Sequence, residues 1–229
     1  MSTNQLSRGE LIKMMALRLF FSVPVLMVMF FLPAGTFAYW QAWVYLAIIL
    51  IPMLFVLFYF MKNNPKLLER RMKMQEKESN QNLIVKFSTV FFLIAFILPG
   101  LDYRFGWSHV PLAIVVIAEI VVFLGYSVVF LVFKENSYAS RVIEVEQGQK
   151  VISSGPYAIV RHPMYSGTVL MYILSPLALG SWWALIPALM IIPVIVARIL
   201  NEENLLASDL PGYPDYIQKV RFRLIPGIW

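Results

Sequence analysis

Long apolar runs separated by short, positively charged stretches constrain this chain more than any other feature. A bilayer-spanning helix needs roughly 20 mostly apolar residues. Six stretches come close to that: Met14–Tyr39, Ala42–Met61, Phe87–Leu101, Val110–Phe133, Met164–Leu179 and Trp182–Leu200. The third and fifth are short and borrow length from polar-looking flanks such as Ile84. The last two are separated only by Gly180-Ser181, which reads as a tight helical hairpin. Composition agrees: of 229 residues, 59% are hydrophobic and 14% charged. A soluble domain has about 45–50% apolar and about 25% charged residues, so a soluble enzyme, a disordered tail and a disulfide scaffold are all excluded. The expected fold is all-α: one integral membrane domain over 1–229, with 1–133 as transmembrane scaffold and 134–229 as the part that carries chemistry. There is no internal repeat and no low-complexity segment.

Charge sets the orientation. Of the 19 basic residues, only Arg104 falls outside the stretches that share one side of a six-span arrangement. By the positive-inside rule both termini are then cytoplasmic. Trp40, Trp43, Trp107, Trp182 and Trp183 all fall at the opposite ends of the spans, as an interfacial aromatic belt does. The first apolar run is too long for a cleaved signal peptide, so it reads as a retained helix. The net charge of +6 is absorbed by orientation and by anionic lipid head groups, and no nucleic-acid partner is expected. With no cysteine and only His109 and His162, thiolate chemistry and a metal centre are not expected either. His109, in an outer loop, reads as inert.

Three polar stretches remain for chemistry, all on the basic side: Lys62–Lys86, Lys134–Pro163 and Asn201–Trp229. In the first, Lys66–Glu78 reads as a short amphipathic helix lying on the membrane. Its plain reading is a connector with solvated charges; the alternative is a lip of the active site. In the second, Gly155-Pro156 punctuates a turn, and Arg161-His162-Pro163 opens the fifth span at a helix N-terminus, where backbone N–H groups favour anions. In the third, Arg198 and Glu202 are four apart and share a helix face, while Glu203 turns about 100° away. Tyr213–Val220 reads as a short helix with Tyr213 and Tyr216 packing on one side, and Arg221 and Arg223 read as lipid-facing charges. A hairpin of the last two spans brings His162 and Glu202 to the same membrane face. Glu119 stands apart in mid-span, where an ionisable group is costly; a structural hydrogen bond is its first reading and a place along an acceptor channel its second.

The set Gly155-Pro156-Tyr157, Val160-Arg161-His162-Pro163, Tyr165 and Gly167, then Arg198 and Glu202-Glu203, then Tyr213, Tyr216 and a terminal Arg223-Leu224-Ile225-Pro226 resembles the isoprenylcysteine carboxyl methyltransferases, a family grouped with the phospholipid N-methyltransferases. The resemblance covers about Lys134–Trp229, and its order and spacing carry it. It implies an S-adenosylmethionine-dependent methyltransferase that acts on a lipophilic acceptor at the cytoplasmic face of a multi-pass membrane protein. By that resemblance Gln149, Lys150, Val151, Ile152, Tyr157, His162, Pro163, Met164, Tyr165 and Glu202 bind the cofactor, and Arg198 contacts the acceptor. Arg161 orients the acceptor, and Glu203 joins it as a candidate catalytic residue. Gln149 stands where some members of the family have histidine.

Elementary chemistry is compatible with this assignment. Methyl transfer is an in-line displacement that needs positioning and desolvation more than acid–base groups. A carboxylate acceptor is already nucleophilic at neutral pH and needs only an arginine to aim it. An amine or thiol acceptor must lose a proton, which Glu202 or Glu203 can take. The glycine-rich G-x-G-x-x-G loop of soluble nucleotide-binding domains does not occur. Competing readings are amine or thiol methylation, an NADPH-dependent membrane reductase, and a scaffold or transporter; the last predicts inverted repeats.

Overall fold

The computed structural model describes residues 7–72, 79–139, 145–146 and 148–229, and no strand occurs among them. Helix α1 (Arg8–Ala34) begins at a capping box in which Ser7 and Glu10 satisfy each other's backbone N–H. It ends at Gly35, whose positive φ of 69° turns the chain. Helix α2 (Trp40–Asn63) stops just ahead of Pro65, because the residue before a proline is driven out of helical geometry. Pro65 then starts the short α3 (Pro65–Met72), as proline can in a first helical turn. Helices α4 (Ser79–Phe105) and α5 (Leu112–Glu135) follow. After a 3-10 turn at Gly155–Ala158 come α6 (Pro163–Ala178), α7 (Leu185–Leu189), α8 (Ile191–Asp209) and α9 (Tyr213–Lys219).

Among the described residues, four stretches are long and apolar enough to cross a membrane: Arg8–Ala34, Trp40–Asn63, Leu112–Glu135 and Leu185–Asp209. The other two expected spans correspond to helices of different character. Helix α4 is far longer than Phe87–Leu101, at 27 residues, because its first turns lie in the polar flank. Helix α6 has only 16 residues, short for a bilayer. The sixth apolar run is broken into α7 and α8 and continues past Leu200 to Asp209. The connector helix begins at Pro65 and is described as far as Met72; residues 73–78 of the expected Lys66–Glu78 lie outside the described ones.

Two close crossings hold the bundle. At the crossing of α5 with α6, a Cβ on Gly125 would sit 2.9 Å from the Gly167 carbonyl oxygen, and one on Gly167 would sit 2.7 Å from the Gly125 oxygen. Only glycine lets the two backbones meet, and small residues at such contacts are the usual device in membranes. The crossing sets the start of α6 beside the end of α5. Gly100 of α4 meets α1 in the same manner, 2.7 Å from the Phe30 oxygen. The core between them holds Phe30, Tyr39, Tyr45, Leu46, Phe96, Val122 and Leu179.

The end of the bundle away from the chemistry is tied by polar bonds that sequence reading did not foresee. Buried Asp102 accepts from the Ser108 N–H at 2.7 Å, the Ser108 hydroxyl at 2.6 Å and the Ser181 hydroxyl. The Tyr39 hydroxyl donates to the Leu179 carbonyl. Glu119 is buried in α5, and neither of its carboxyl oxygens has a hydrogen-bond partner among the described residues. The structural hydrogen bond expected of it is therefore not seen there.

Candidate active site

The ends of α5 and α8 and the start of α6 converge on a cavity of about 310 Å³, within the usual range for ligand pockets. Its wall includes every residue to which the resemblance gives a cofactor or acceptor role: Gln149, Lys150, Val151, Ile152, Tyr157, Arg161, His162, Pro163, Met164, Tyr165, Arg198 and Glu202. Glu203 is not in the wall.

The neighbouring glutamates divide because successive residues on a helix point about 100° apart. Glu202 faces the cavity. Its Oε2 accepts from the Tyr165 hydroxyl at 2.8 Å, and that hydroxyl in turn accepts from Arg198 Nε at 3.0 Å. One phenol of α6 thus aligns both charged groups of α8. Glu203 faces the other way, is buried, and gathers two arginines and a histidine. Arg161 Nε donates to its Oε1 at 2.7 Å, His162 Nε2 lies 3.2 Å from the same oxygen, and Arg223 Nε donates to Oε2 at 2.8 Å.

The C-terminal segment is drawn in through the same cluster. The N–H groups of Arg161 and His162 donate to the carbonyls of Phe222 and Arg223, each at 2.9 Å. Arg161 Nη1 donates to the carbonyls of Val220 and Arg221, also at 2.9 Å. The Ser166 hydroxyl donates to the Leu224 carbonyl at 2.7 Å. Arg223, expected to face lipid, instead pairs with Glu203 and lies over the Trp229 ring at 5.2 Å.

The loop side is built on Tyr157, carried by the 3-10 turn. Asn136 Nδ2 donates to its hydroxyl at 2.8 Å, and its carbonyl accepts from the Tyr216 hydroxyl at 2.7 Å. Gly155 holds a φ of 56°, and the space where a Cβ would stand is closed by the Glu135 side chain at 3.2 Å, so glycine is required twice over. Burial keeps the Tyr157 phenol protonated, with its pKa pushed up to about 12. Tyr213 and Tyr216 are raised further, again mainly by burial.

Several wall residues escaped sequence reasoning. Tyr213 and Tyr216 were read as packing; both are buried, yet both line the cavity, and their i, i+3 spacing was the available signal. Asn136, Tyr138 and Thr168 carried no signal. Arg71 of α3 also lines the cavity, so the amphipathic connector does form part of its lip. Among the described residues no group of three His, Asp or Glu side chains is arranged to hold a metal ion.

Fold and site together define a class: an all-helical chain with apolar, membrane-length helices and an arginine- and glutamate-bearing cavity at one end of the bundle. Residues 113–210 match the family model described as phospholipid methyltransferase. That family groups the isoprenylcysteine carboxyl methyltransferases with the phospholipid N-methyltransferases, so this stretch is similar to membrane methyltransferases. The match begins inside α5, ahead of the stretch that carries the sequence resemblance, and ends where α8 gives way to α9. The comparison with curated proteins finds no match.

Proposed function

We propose that the protein is an S-adenosylmethionine-dependent methyltransferase that methylates the carboxylate of a lipophilic, prenylcysteine-type acceptor at the cytoplasmic membrane face. The observation that carries the reading is the Tyr165 hydroxyl, which joins Arg198 to Glu202 in the cavity wall. It sets a fixed cation for an acceptor carboxylate next to a fixed anion for the cofactor's ammonium or ribose hydroxyls.

The donor set fits the cofactor. Lys150 and the N-terminal turn of α6 suit its carboxylate, and Val151, Ile152 and Tyr157 offer an apolar and aromatic face to its base. The Tyr213 hydroxyl is buried and has no hydrogen-bond partner among the described residues, an acceptor and donor left for a bound molecule. When bound, the cofactor supplies a methyl group made electrophilic by its sulfonium. The residues of the chain then aim the acceptor and exclude water. Arg198 and Arg161 orient the acceptor carboxylate, and Val129, Ala139 and Leu206, which line the same cavity, shield the site. In this reading Glu203 acts through Arg161 and His162 as a positioning residue.

The proposed topology has six spans with both termini cytoplasmic, in line with the one-sided basic residues. Phospholipid-amine methylation is the second reading, favoured by the description of the matching family.

Calorimetry on the detergent-purified protein tests the cofactor. S-adenosylhomocysteine binding that is saturable in the parent and lost in Glu202→Gln supports the reading, whereas NADPH binding in its place overturns it. Transfer of a labelled methyl group to a prenylcysteine acid or to phosphatidylethanolamine then separates the two acceptors.

A further inference from the structure

We propose that Asn136, at the end of α5, fixes the direction in which the Tyr157 hydroxyl shares its proton, making that hydroxyl a donor to a ring nitrogen of the cofactor's base. The inference rests on the methyltransferase reading for the identity of the ligand, and it adds a positioning residue to that site.

Every polar group of Asn136 is engaged. Its N–H donates to the Val132 carbonyl at 2.8 Å, and its carbonyl accepts from the Ala139 N–H at 3.3 Å. On the side chain, Oδ1 accepts from the Tyr138 N–H at 2.9 Å, and Nδ2 donates to the Tyr157 hydroxyl oxygen at 2.8 Å. The two ends of an amide are alike in shape, so the surrounding bonds decide which end is which. A backbone N–H can only donate. The end that meets Tyr138 is therefore the carbonyl oxygen, and the end that meets Tyr157 is the NH2 group.

The direction of the next bond follows. An amide NH2 does not accept, so the Tyr157 oxygen receives a proton from Asn136 and its own proton is directed elsewhere. The phenol keeps that proton at neutral pH, because burial pushes its pKa up to about 12. The backbone that carries the ring is held at both ends: the Tyr157 N–H donates to the Ser154 carbonyl at 3.1 Å, and its carbonyl accepts from the Tyr216 hydroxyl at 2.7 Å. Asn136, Tyr138 and Tyr157 all line the cavity. The hydroxyl is thus set as a donor at the cavity wall, and a bound molecule there meets it best with an acceptor. Adenine has such acceptors at its ring nitrogens, and Val151 and Ile152 in the same wall suit its flat faces. A donor of fixed direction favours a base with a bare ring nitrogen over one with a C–H in that place.

The test reads the affinity of the detergent-purified full chain for S-adenosylhomocysteine and for its 1-deaza, 3-deaza and 7-deaza forms, in each of which a C–H replaces one ring nitrogen. The parent is expected to bind one of the three at least about tenfold more weakly than S-adenosylhomocysteine, the scale of one buried hydrogen bond left unmade. Tyr157→Phe removes the donor and should cut that ratio to about twofold or less. Asn136→Asp keeps the shape and still accepts from Tyr138, but its second oxygen is now an acceptor. The Tyr157 proton then turns inward, and the ratio should fall as it does in Tyr157→Phe although the tyrosine is intact. Adding Tyr157→Phe to Asn136→Asp should take nothing further from it. A merely structural role for Asn136 would weaken all four ligands alike and leave the ratio unchanged. Asn136→Ala removes the amide without reversing the proton; it stands in for an Asn136→Asp protein that fails to fold, and its ratio should lie between those of the parent and Tyr157→Phe. A parent that binds S-adenosylhomocysteine and all three analogues equally overturns the inference, as does the parent's ratio in Tyr157→Phe, in Asn136→Asp or in the alanine variant that stands in for it. A parent that binds none of the four overturns the methyltransferase reading, and the inference with it.

Discussion

Arg161 Nε and Glu203 Oε1 are 2.7 Å apart, with side-chain exposures of only 4% and 8%. Through this pair α8, the start of α6 and the C-terminal segment are joined at one carboxylate. A buried charge pair is weak evidence of net stability, but removing one member is severe, because the other charge is left buried and unmatched.

Glu203→Gln is therefore expected to cost about 3–5 kcal/mol, seen as a lower midpoint for loss of the monodisperse fraction on heating in detergent. Arg161→Met together with Glu203→Leu should recover part of that loss, since an apolar pair of similar volume leaves no unmatched charge. A Glu203→Gln protein as heat-stable as the parent, with cofactor binding retained and turnover lost, would instead make Glu203 a proton acceptor in the reaction.

Tyr165→Phe removes one oxygen and leaves Arg198 and Glu202 without their shared partner. An unmade hydrogen bond to a charged group is worth about 1.5–3 kcal/mol, so S-adenosylhomocysteine affinity should fall by roughly ten- to hundredfold. Calorimetry checks it, and an unchanged dissociation constant would show that the Arg198–Tyr165–Glu202 chain does not bear on the cofactor.

At the close crossing of α5 and α6, Gly167→Ala sets a methyl group against the Gly125 oxygen and the Val129 side chain. Overpacking of this kind costs about 1–3 kcal/mol, and Gly167→Leu should cost more and prevent recovery of a monodisperse protein. Both variants act on the position of His162 and Tyr165, so any surviving protein should bind cofactor more weakly. Normal expression and binding in Gly167→Leu would mean that the helices do not cross here.

Arg70 Nε and Nη2 donate to the two carboxylate oxygens of Glu146, each at 2.6 Å, and the Glu146 N–H donates to Gln149 Oε1 at 3.0 Å, so this clamp can be tested by exchange. Arg70→Glu and Glu146→Arg singly place like charges together and should each weaken cofactor binding at least about fivefold, through Gln149 and Lys150, within the 0.5–3 kcal/mol range for coupled neighbours. The double variant should recover much of the loss. Independent, additive losses in the double variant would exclude the pair as the cause.

Alkaline titration reports on Tyr157. Its folded pKa of about 12 lies above the ordinary value near 10, so the folded state holds a proton that the unfolded chain releases. The stabilisation is complete below about pH 10 and is lost as pH rises through about 12. Phenolate absorbance near 295 nm should show a class of tyrosines that ionise only above pH 11, with Tyr157→Phe removing one. Ionisation of all tyrosines near pH 10 in folded protein would place Tyr157 in water.

The linear order of residues was enough for the class of fold and for part of the cavity wall. Apolar runs of membrane length can be satisfied only by helices that close their own hydrogen bonds, and the one-sided placement of basic residues carries an orientation. The motifs from Gly155 to Tyr165 and from Arg198 to Glu203 are local, so their residue types and spacing were legible. Tertiary structure alone decided three things. Helix phase already divided Glu202 from Glu203, but the packing of α8 decided which of them meets the cavity and which meets Arg161, His162 and Arg223. The Gly125–Gly167 approach decided how α6 meets α5, because it depends on the absence of two side chains from different helices. And the path of α3 brought Arg70 and Arg71 to a site far along the chain, through a salt bridge to Glu146 that no periodicity encodes. Each of these depends on packing between segments distant in sequence, where local propensity carries no information.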